Sequence, residues 1–181
     1  MISLDEYRQV RNTADLLYPA SVVEQAISRL AAEITEQLAD SCPLVLTVLN
    51  GGIIFAGKLL TQLDFALEID SIQATRYRGC TEGGEVVWLK TPEIEMEDRT
   101  VLLLDDILDE GITLAHIIEF CEREGARQVK TATLIDKKIG RNKPCTADFV
   151  GLESDNRYLF GYGLDYKNVL RNAPGIYACK E

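Results

Sequence analysis

The chain is poor in basic charge, in histidine and in paired cysteine, and each shortage removes a class of function. Its 181 residues hold 19 Lys and Arg against 29 Asp and Glu, a net charge of -10 at neutral pH. No general basic field is therefore available to a nucleic-acid backbone, and an anionic ligand needs a local site. One histidine, His116, and 5 cysteines (Cys42, Cys80, Cys121, Cys145 and Cys179) with no C-x-x-C spacing argue against structural zinc and against a disulfide framework. His116 reads as a packing or surface residue, and Cys121 and Cys179 as small apolar fillers. The longest apolar stretches, such as residues 101–104, are short, and the opening MISLDEYRQV lacks the apolar core of a secretory signal. A cytoplasmic location and no membrane segment are expected.

What is present suffices for one domain, because 46% apolar residues over this length can bury a full core. Ser21 and Glu24 have the spacing of a capping box, and Val22, Val23, Ala26, Ile27, Leu30, Ile34 and Leu38 then recur at helical spacing until Pro43. Residues 44–49 form an apolar run without alternation, the pattern of a parallel strand covered on both faces, and stop at Asn50-Gly51-Gly52. A second helical pattern (Ile53, Ile54, Ala56, Leu59, Leu60, Leu63) precedes a strand at 66–75, a polar segment at 76–85 with three glycines, and a short strand at 86–90. Residues 101–104 are another apolar strand, followed by an acidic loop, a helix over 113–124 ended by Gly125, and a strand over 129–135. Strand-like pieces at 149–152, 158–162 and 176–178 complete the pattern. Strands alternating with helices predict an α/β domain with a mostly parallel sheet flanked by helices.

The sharpest feature is Val101-Leu102-Leu103-Leu104-Asp105-Asp106-Ile107-Leu108-Asp109-Glu110-Gly111-Ile112-Thr113, where four carboxylates crowd the passage from a buried strand to a helix. Ligands of open α/β sheets bind at the carboxyl ends of strands, and a helix start beside a glycine offers amide donors to a phosphate. Carboxylates next to such a nest suit sugar hydroxyls or a hydrated Mg²⁺. This run resembles the signature of the type I phosphoribosyltransferases. Four further segments resemble the hypoxanthine-guanine branch of that family over about residues 45–178: Val48-Leu49-Asn50-Gly51-Gly52, Arg76-Tyr77-Arg78-Gly79, Leu134-Ile135-Asp136-Lys137-Lys138, and Tyr158-Leu159-Phe160-Gly161-Tyr162-Gly163-Leu164-Asp165-Tyr166 with Arg171 after it.

The resemblance implies the type I fold as a single domain over 1–181, with a core at about 21–150 and a small hood from the N-terminal segment and about 151–181. It implies that Asp105 and Asp106 hold the ribose hydroxyls of 5-phosphoribosyl-1-diphosphate, one through metal-bound water, and that Glu110, Gly111, Ile112 and Thr113 take its 5′-phosphate. Glu110 and Ile112 depart from the family, which often has Thr or Ser, and a polar or basic residue, at those places. Asp109 would be the general base toward purine N7, or the cap of the next helix, and one Asp can be both. Lys137 would donate to the purine O6, Tyr158 would stack on the base, and the Leu159 backbone would read its exocyclic edge. Asn50 and Gly51 would meet the diphosphate across a first peptide, Leu49–Asn50, that is often cis in the family; relatives often carry Lys where Asn50 stands. Arg171 would contact the diphosphate, Asp165 would join Asp105 and Asp106 toward Mg²⁺, and Arg76 and Tyr77 would begin a lid.

The implied activity is Mg²⁺-dependent purine salvage: hypoxanthine or guanine plus the ribosyl donor gives IMP or GMP plus diphosphate. A xanthine-preferring relative and a catalytically silent nucleotide sensor are the alternatives. The implied partners are these small molecules and further copies of the chain, as a homodimer or homotetramer, with no nucleic acid and no membrane.

Overall fold

Two sheets divide the chain unequally. The computed structural model describes residues 2–76 and 86–180. Along it run α1 (Leu4–Thr13), β1 (Asp15–Pro19), α2 (Ala20–Leu38), β2 (Leu44–Val48), α3 (Gly52–Leu60), β3 (Glu68–Arg76), β4 (Val86–Lys90), β5 (Thr100–Leu108), α4 (Ile112–Arg123), β6 (Gln128–Lys138), β7 (Phe149–Asp155), β8 (Leu159–Phe160) and β9 (Gly175–Ala178). Six strands form the main sheet in the order β4-β3-β2-β5-β6-β7, and three form a small sheet in the order β1-β9-β8. In the main sheet β3, β2, β5, β6 and β7 are parallel, and only the edge strand β4 is antiparallel.

The strand β5 shows why the central sequence is apolar throughout. Leu102 and Leu104 point into the core shared with α2 and α3, against Ile27, Leu30 and Phe55. Val101 and Leu103 point the other way, into the core shared with α4, against Ile117 and Cys121. Successive side chains face opposite sides of a sheet, so a strand covered on both sides is apolar at every position. No helix among the described residues is long and apolar enough to cross a membrane.

Several sequence expectations need correction. The apolar stripe of α2 is buried at Val23, Ala26, Ile27, Leu30, Ile34 and Leu38, but its start is not the capping box of Ser21 and Glu24. Pro19 stands at the cap without a side-chain bond, and Glu24 instead accepts from Tyr162 and Lys58, each at 2.6 Å. A tertiary partner has claimed the carboxylate. The strand taken to end at Leu104 continues to Leu108, so Asp105 and Asp106 lie in β5 itself, and the acidic loop shrinks to 109–111. Pairing of Asp105 with Thr133 and of Leu108 with Asp136 on β6 supplies the extra length.

The N-terminal elements escaped the sequence reading. Helix α1 has no buried residue, so it carries little of the apolar periodicity by which helices are recognised. Its signal was Ser3, whose hydroxyl accepts from the Glu6 amide at 3.1 Å as an N-cap. Tyr7 and Val10 pack against a third cluster made by Phe160, Leu170, Ala173 and Tyr177. Strand β1 pairs with β9, and β9 with β8, which joins the N-terminal segment to the chain's last strands. Strand β7 remains in the main sheet, so the division between the sheets falls after Asp155 rather than near residue 150.

Candidate active site

The parallel strands end where the small sheet begins, and the cleft lies there. It encloses about 730 Å³ and is lined from β5 and its turn by residues 105–114, from the end of β2 by Val48, Leu49, Asn50 and Gly51, and from the tail by Asp165 and Arg171. A side cavity of about 200 Å³ is lined by Asp106, Ile107, Asp109, Lys137, Tyr158, Leu159, Leu164 and Asp165. The residues named from the end of β2, the acidic run, the lysine strand and the tail thus converge from four segments of chain.

The floor is acidic and tightly packed. Asp105 Oδ1 accepts the amide of Asp106 at 2.9 Å. Burial pushes both carboxyls upward, and the charge of Asp106 adds to the rise at Asp105, which stands well above the ordinary carboxylate range. Arg171 offsets part of this at Asp106, 3.9 Å away, while no salt bridge among the described residues reaches Asp105. Arg171 is itself held by Asp165 at 2.7 Å and by the Gly163 carbonyl at 2.5 Å. Asp165 also accepts the Asn168 amide at 2.7 Å. A Cβ at Gly51 would overlap the Asp106 carboxylate, and one at Gly163 would overlap the Gly51 carbonyl. The Leu49–Asn50 peptide is cis.

The wall is the turn between β5 and α4. Gly111 has φ 79° at the cap of α4, a left-handed conformation that suits glycine. It turns the chain at the start of α4, whose first amides have no carbonyl partner within the helix, and Ile112, Thr113 and Leu114 line the cleft there. Thr113 is in that first turn, and Glu110 just before it is ion-paired with Arg141. His116 lies inside α4, where Nδ1 meets the Ile112 carbonyl at 2.8 Å.

The side cavity is set by Lys137 and Asp109. Lys137 Nζ is 2.9 Å from Asp109 Oδ2, with the lysine side chain 10% exposed and the aspartate 46%. Leu159 is buried, whereas Tyr158 is 53% exposed at the rim, edge-on to Tyr166 with ring centroids 5.7 Å apart. Of the expected lid, Arg76 ends β3, and Tyr77 lies outside the described residues.

Some cleft residues went unmarked in the sequence. Arg141, Asn156 and Ile139 line the main cleft. The signal for Arg141 was the basic run Lys137-Lys138-Ile139-Gly140-Arg141-Asn142-Lys143, unusual in a chain of net charge -10.

The phosphoribosyl transferase domain model matches residues 14–167. The chain belongs to the phosphoribosyl transferase family. It is 36% identical over 155 residues to a hypoxanthine-guanine phosphoribosyltransferase of Bacillus subtilis, covering 85% of this chain and 86% of that relative. It is 36% identical over 167 residues to a hypoxanthine-guanine-xanthine phosphoribosyltransferase of Tritrichomonas foetus, covering 92% and 91%. The crystal structure of a hypoxanthine phosphoribosyltransferase from Staphylococcus aureus superposes with a TM-score of 0.88 at 28% identity, over 98% of this chain and 97% of that one. The mostly parallel sheet flanked by helices is therefore the type I phosphoribosyltransferase fold.

Proposed function

We infer that this protein is a purine salvage enzyme, a hypoxanthine-guanine phosphoribosyltransferase that joins hypoxanthine or guanine to 5-phosphoribosyl-1-diphosphate. The observation that carries the reading is the Lys137–Asp109 pair of 2.9 Å in a cavity rimmed by Tyr158, opening beside the Asp105–Asp106 floor. An ammonium donates three hydrogen bonds and accepts none. Lys137 can therefore hold Asp109 and still donate to a purine O6, whereas a 6-amino group would face it donor to donor. Tyr158 stacks on the ring, and the Leu159 backbone meets the 2-position.

In this proposal the donor lies along the main cleft. The backbone of Glu110, Gly111 and Ile112, with Thr113 and its hydroxyl, takes the 5′-phosphate at the start of α4. Asp105 and Asp106 hold the ribose hydroxyls, and Asn50, Gly51 and Arg171 meet the diphosphate. Purine N9 attacks the anomeric carbon as its bond to the diphosphate oxygen breaks, and Asp109, one carboxylate oxygen of which is held by Lys137, accepts the proton from N7 on the other. The sugar passes through an oxocarbenium-like state, whose positive charge the nearby carboxylates favour.

Mg²⁺ belongs to the proposal. The hard oxygens of Asp105, Asp106 and Asp165 suit it, and the poorly compensated buried pair favours a cation. Among the described residues no three His, Cys, Asp or Glu side chains form a metal site by themselves, so donor oxygens would complete the coordination. When bound, Mg²⁺ neutralises charge on the departing diphosphate. The enzyme would act in the cytoplasm as a homodimer or homotetramer, and the exposed Ile69, Val87 and Leu89 along the β3–β4 edge are surface for such contacts. Sedimentation of the purified chain checks the assembly.

The deciding assay offers hypoxanthine, guanine, xanthine and adenine in turn with the ribosyl donor, with and without Mg²⁺. Metal-dependent nucleotide from hypoxanthine or guanine, and little from adenine, is expected. No product from any base would overturn the reading in favour of a nucleotide sensor on the same fold.

A further inference from the structure

Behind the Asp109–Lys137 pair lies a lysine that the reaction does not touch. Lys143 Nζ donates to the Leu108 carbonyl at 2.6 Å and to Asp136 Oδ1 at 2.6 Å, with its side chain only 12% exposed. Leu108 and Asp136 face each other as the last paired residues of β5 with β6 before the turn. Each immediately precedes a site residue: Asp109 follows Leu108, and Lys137 follows Asp136. Lys143 thus bridges the final rung of the two strands at the point where the ladder stops and the two side chains must be aimed.

The bridge is charged. Burial raises the Asp136 carboxyl, but Lys138 at 2.8 Å and Lys143 outweigh it and hold it below its ordinary value. Buried charge-assisted bonds are short and directional, which fixes the geometry of whatever they join. The same loop braces the turn a second time, with Cys145 Sγ 3.3 Å from the Gly111 carbonyl.

We propose that Lys143 is a positioning residue: it sets the separation and bearing of Asp109 and Lys137, and through them turnover on 6-oxopurines. The proposal rests on the purine salvage reading above. It distinguishes Lys143 from Asp105, Asp106 and Arg171 on the donor side of the cleft, which are held by contacts that do not involve Lys143. A lysine needed only for stability would affect both substrates alike.

The test uses K143M, K143R, D136N and the K143M/D136N double variant in the full chain. K143M should lower kcat/KM for hypoxanthine on the order of tenfold while KM for the ribosyl donor stays within about twofold, and K143R should restore most of the loss. The double variant should lose less than the sum of the two single losses, since both changes cut the Lys143–Asp136 contact. Equal losses for both substrates, additive losses, or wild-type values in K143M would each overturn the proposal. A wild-type protein inactive on every 6-oxopurine would instead overturn the salvage reading. Amide exchange at residues 108–109 and 136–137 decides the clamp independently: faster exchange in K143M at both segments supports it, and unchanged exchange refutes it.

Discussion

Lys137 Nζ and Asp109 Oδ2 meet at 2.9 Å although 28 residues separate them in the chain. They meet because β5 and β6 are parallel neighbours in register: Leu108 pairs with Asp136, so Asp109, just past the end of β5, comes beside Lys137 within β6. A mostly buried ammonium beside a half-exposed carboxylate leaves the carboxylate open to a ligand on one side and oriented on the other. That asymmetry gives the first two predictions.

Asp109→Asn keeps the shape and one acceptor but removes the proton acceptor. Turnover with hypoxanthine should fall by roughly 100-fold or more, the usual scale for losing a general base. Binding of the ribosyl donor, followed by calorimetry, should change little. Equal losses in turnover and donor affinity would argue against a base at this position.

Lys137→Ala removes the donor meant for O6 and leaves Asp109 without its cation. Discrimination between hypoxanthine and adenine should narrow by about tenfold or more, since a site built on a hydrogen bond rejects analogues that lack it. The measurement is the ratio of kcat/KM values for the two bases, and an unchanged ratio would remove the assignment.

Gly163→Ala places a methyl group against the Gly51 carbonyl at a φ of 111°. Overlap with backbone and a conformation hostile to L side chains should together cost about 3 kcal/mol of stability. Urea denaturation reads the loss, and because Gly51 abuts Asp106, any folded fraction should also bind the ribosyl donor more weakly.

Asp70, on β3 and outside the cleft lining, contributes to acid stability. Burial alone would raise its carboxyl, but Lys90 at 2.7 Å and the amides of Glu93, Ser71 and Ile94 overcome this and hold it at about 2, against 3.8 for the free group. A carboxyl lowered in the folded state stabilises the fold above its unfolded value and loses that contribution as pH falls through the folded one. Asp70→Asn should therefore cost about 2 kcal/mol at pH 7, and the gap between the unfolding curves should close between about pH 4 and pH 2. A gap independent of pH would sink the assignment.

The parallel strands and the stripe of α2 were legible in the sequence because burial on one or both faces imposes a local, periodic pattern. The acidic run announced a ligand site for the same reason: four carboxylates at a strand end are too costly to place there by chance. The exposed helix α1 and the strand β1 gave no such pattern, since β1 exists only through pairing with β9. Glu24 looked like a helix cap by local spacing, yet Tyr162 and Lys58, distant in sequence, hold it. The Tyr162 phenol is pushed up to about 12 by burial and by that carboxylate.

The sequence by itself determined the family, the alternation of strands and helices, and the residue types at the cleft, because these rest on short-range pattern and on chemistry carried by contiguous motifs. Only the tertiary structure decided which of those residues touch. Strand register set Asp109 against Lys137, the approach of two glycine backbones shaped the floor around Asp106, and a lysine in the loop after β6 closed the last rung beneath both. Those relations depend on distances between segments far apart in the chain, and no local pattern encodes them.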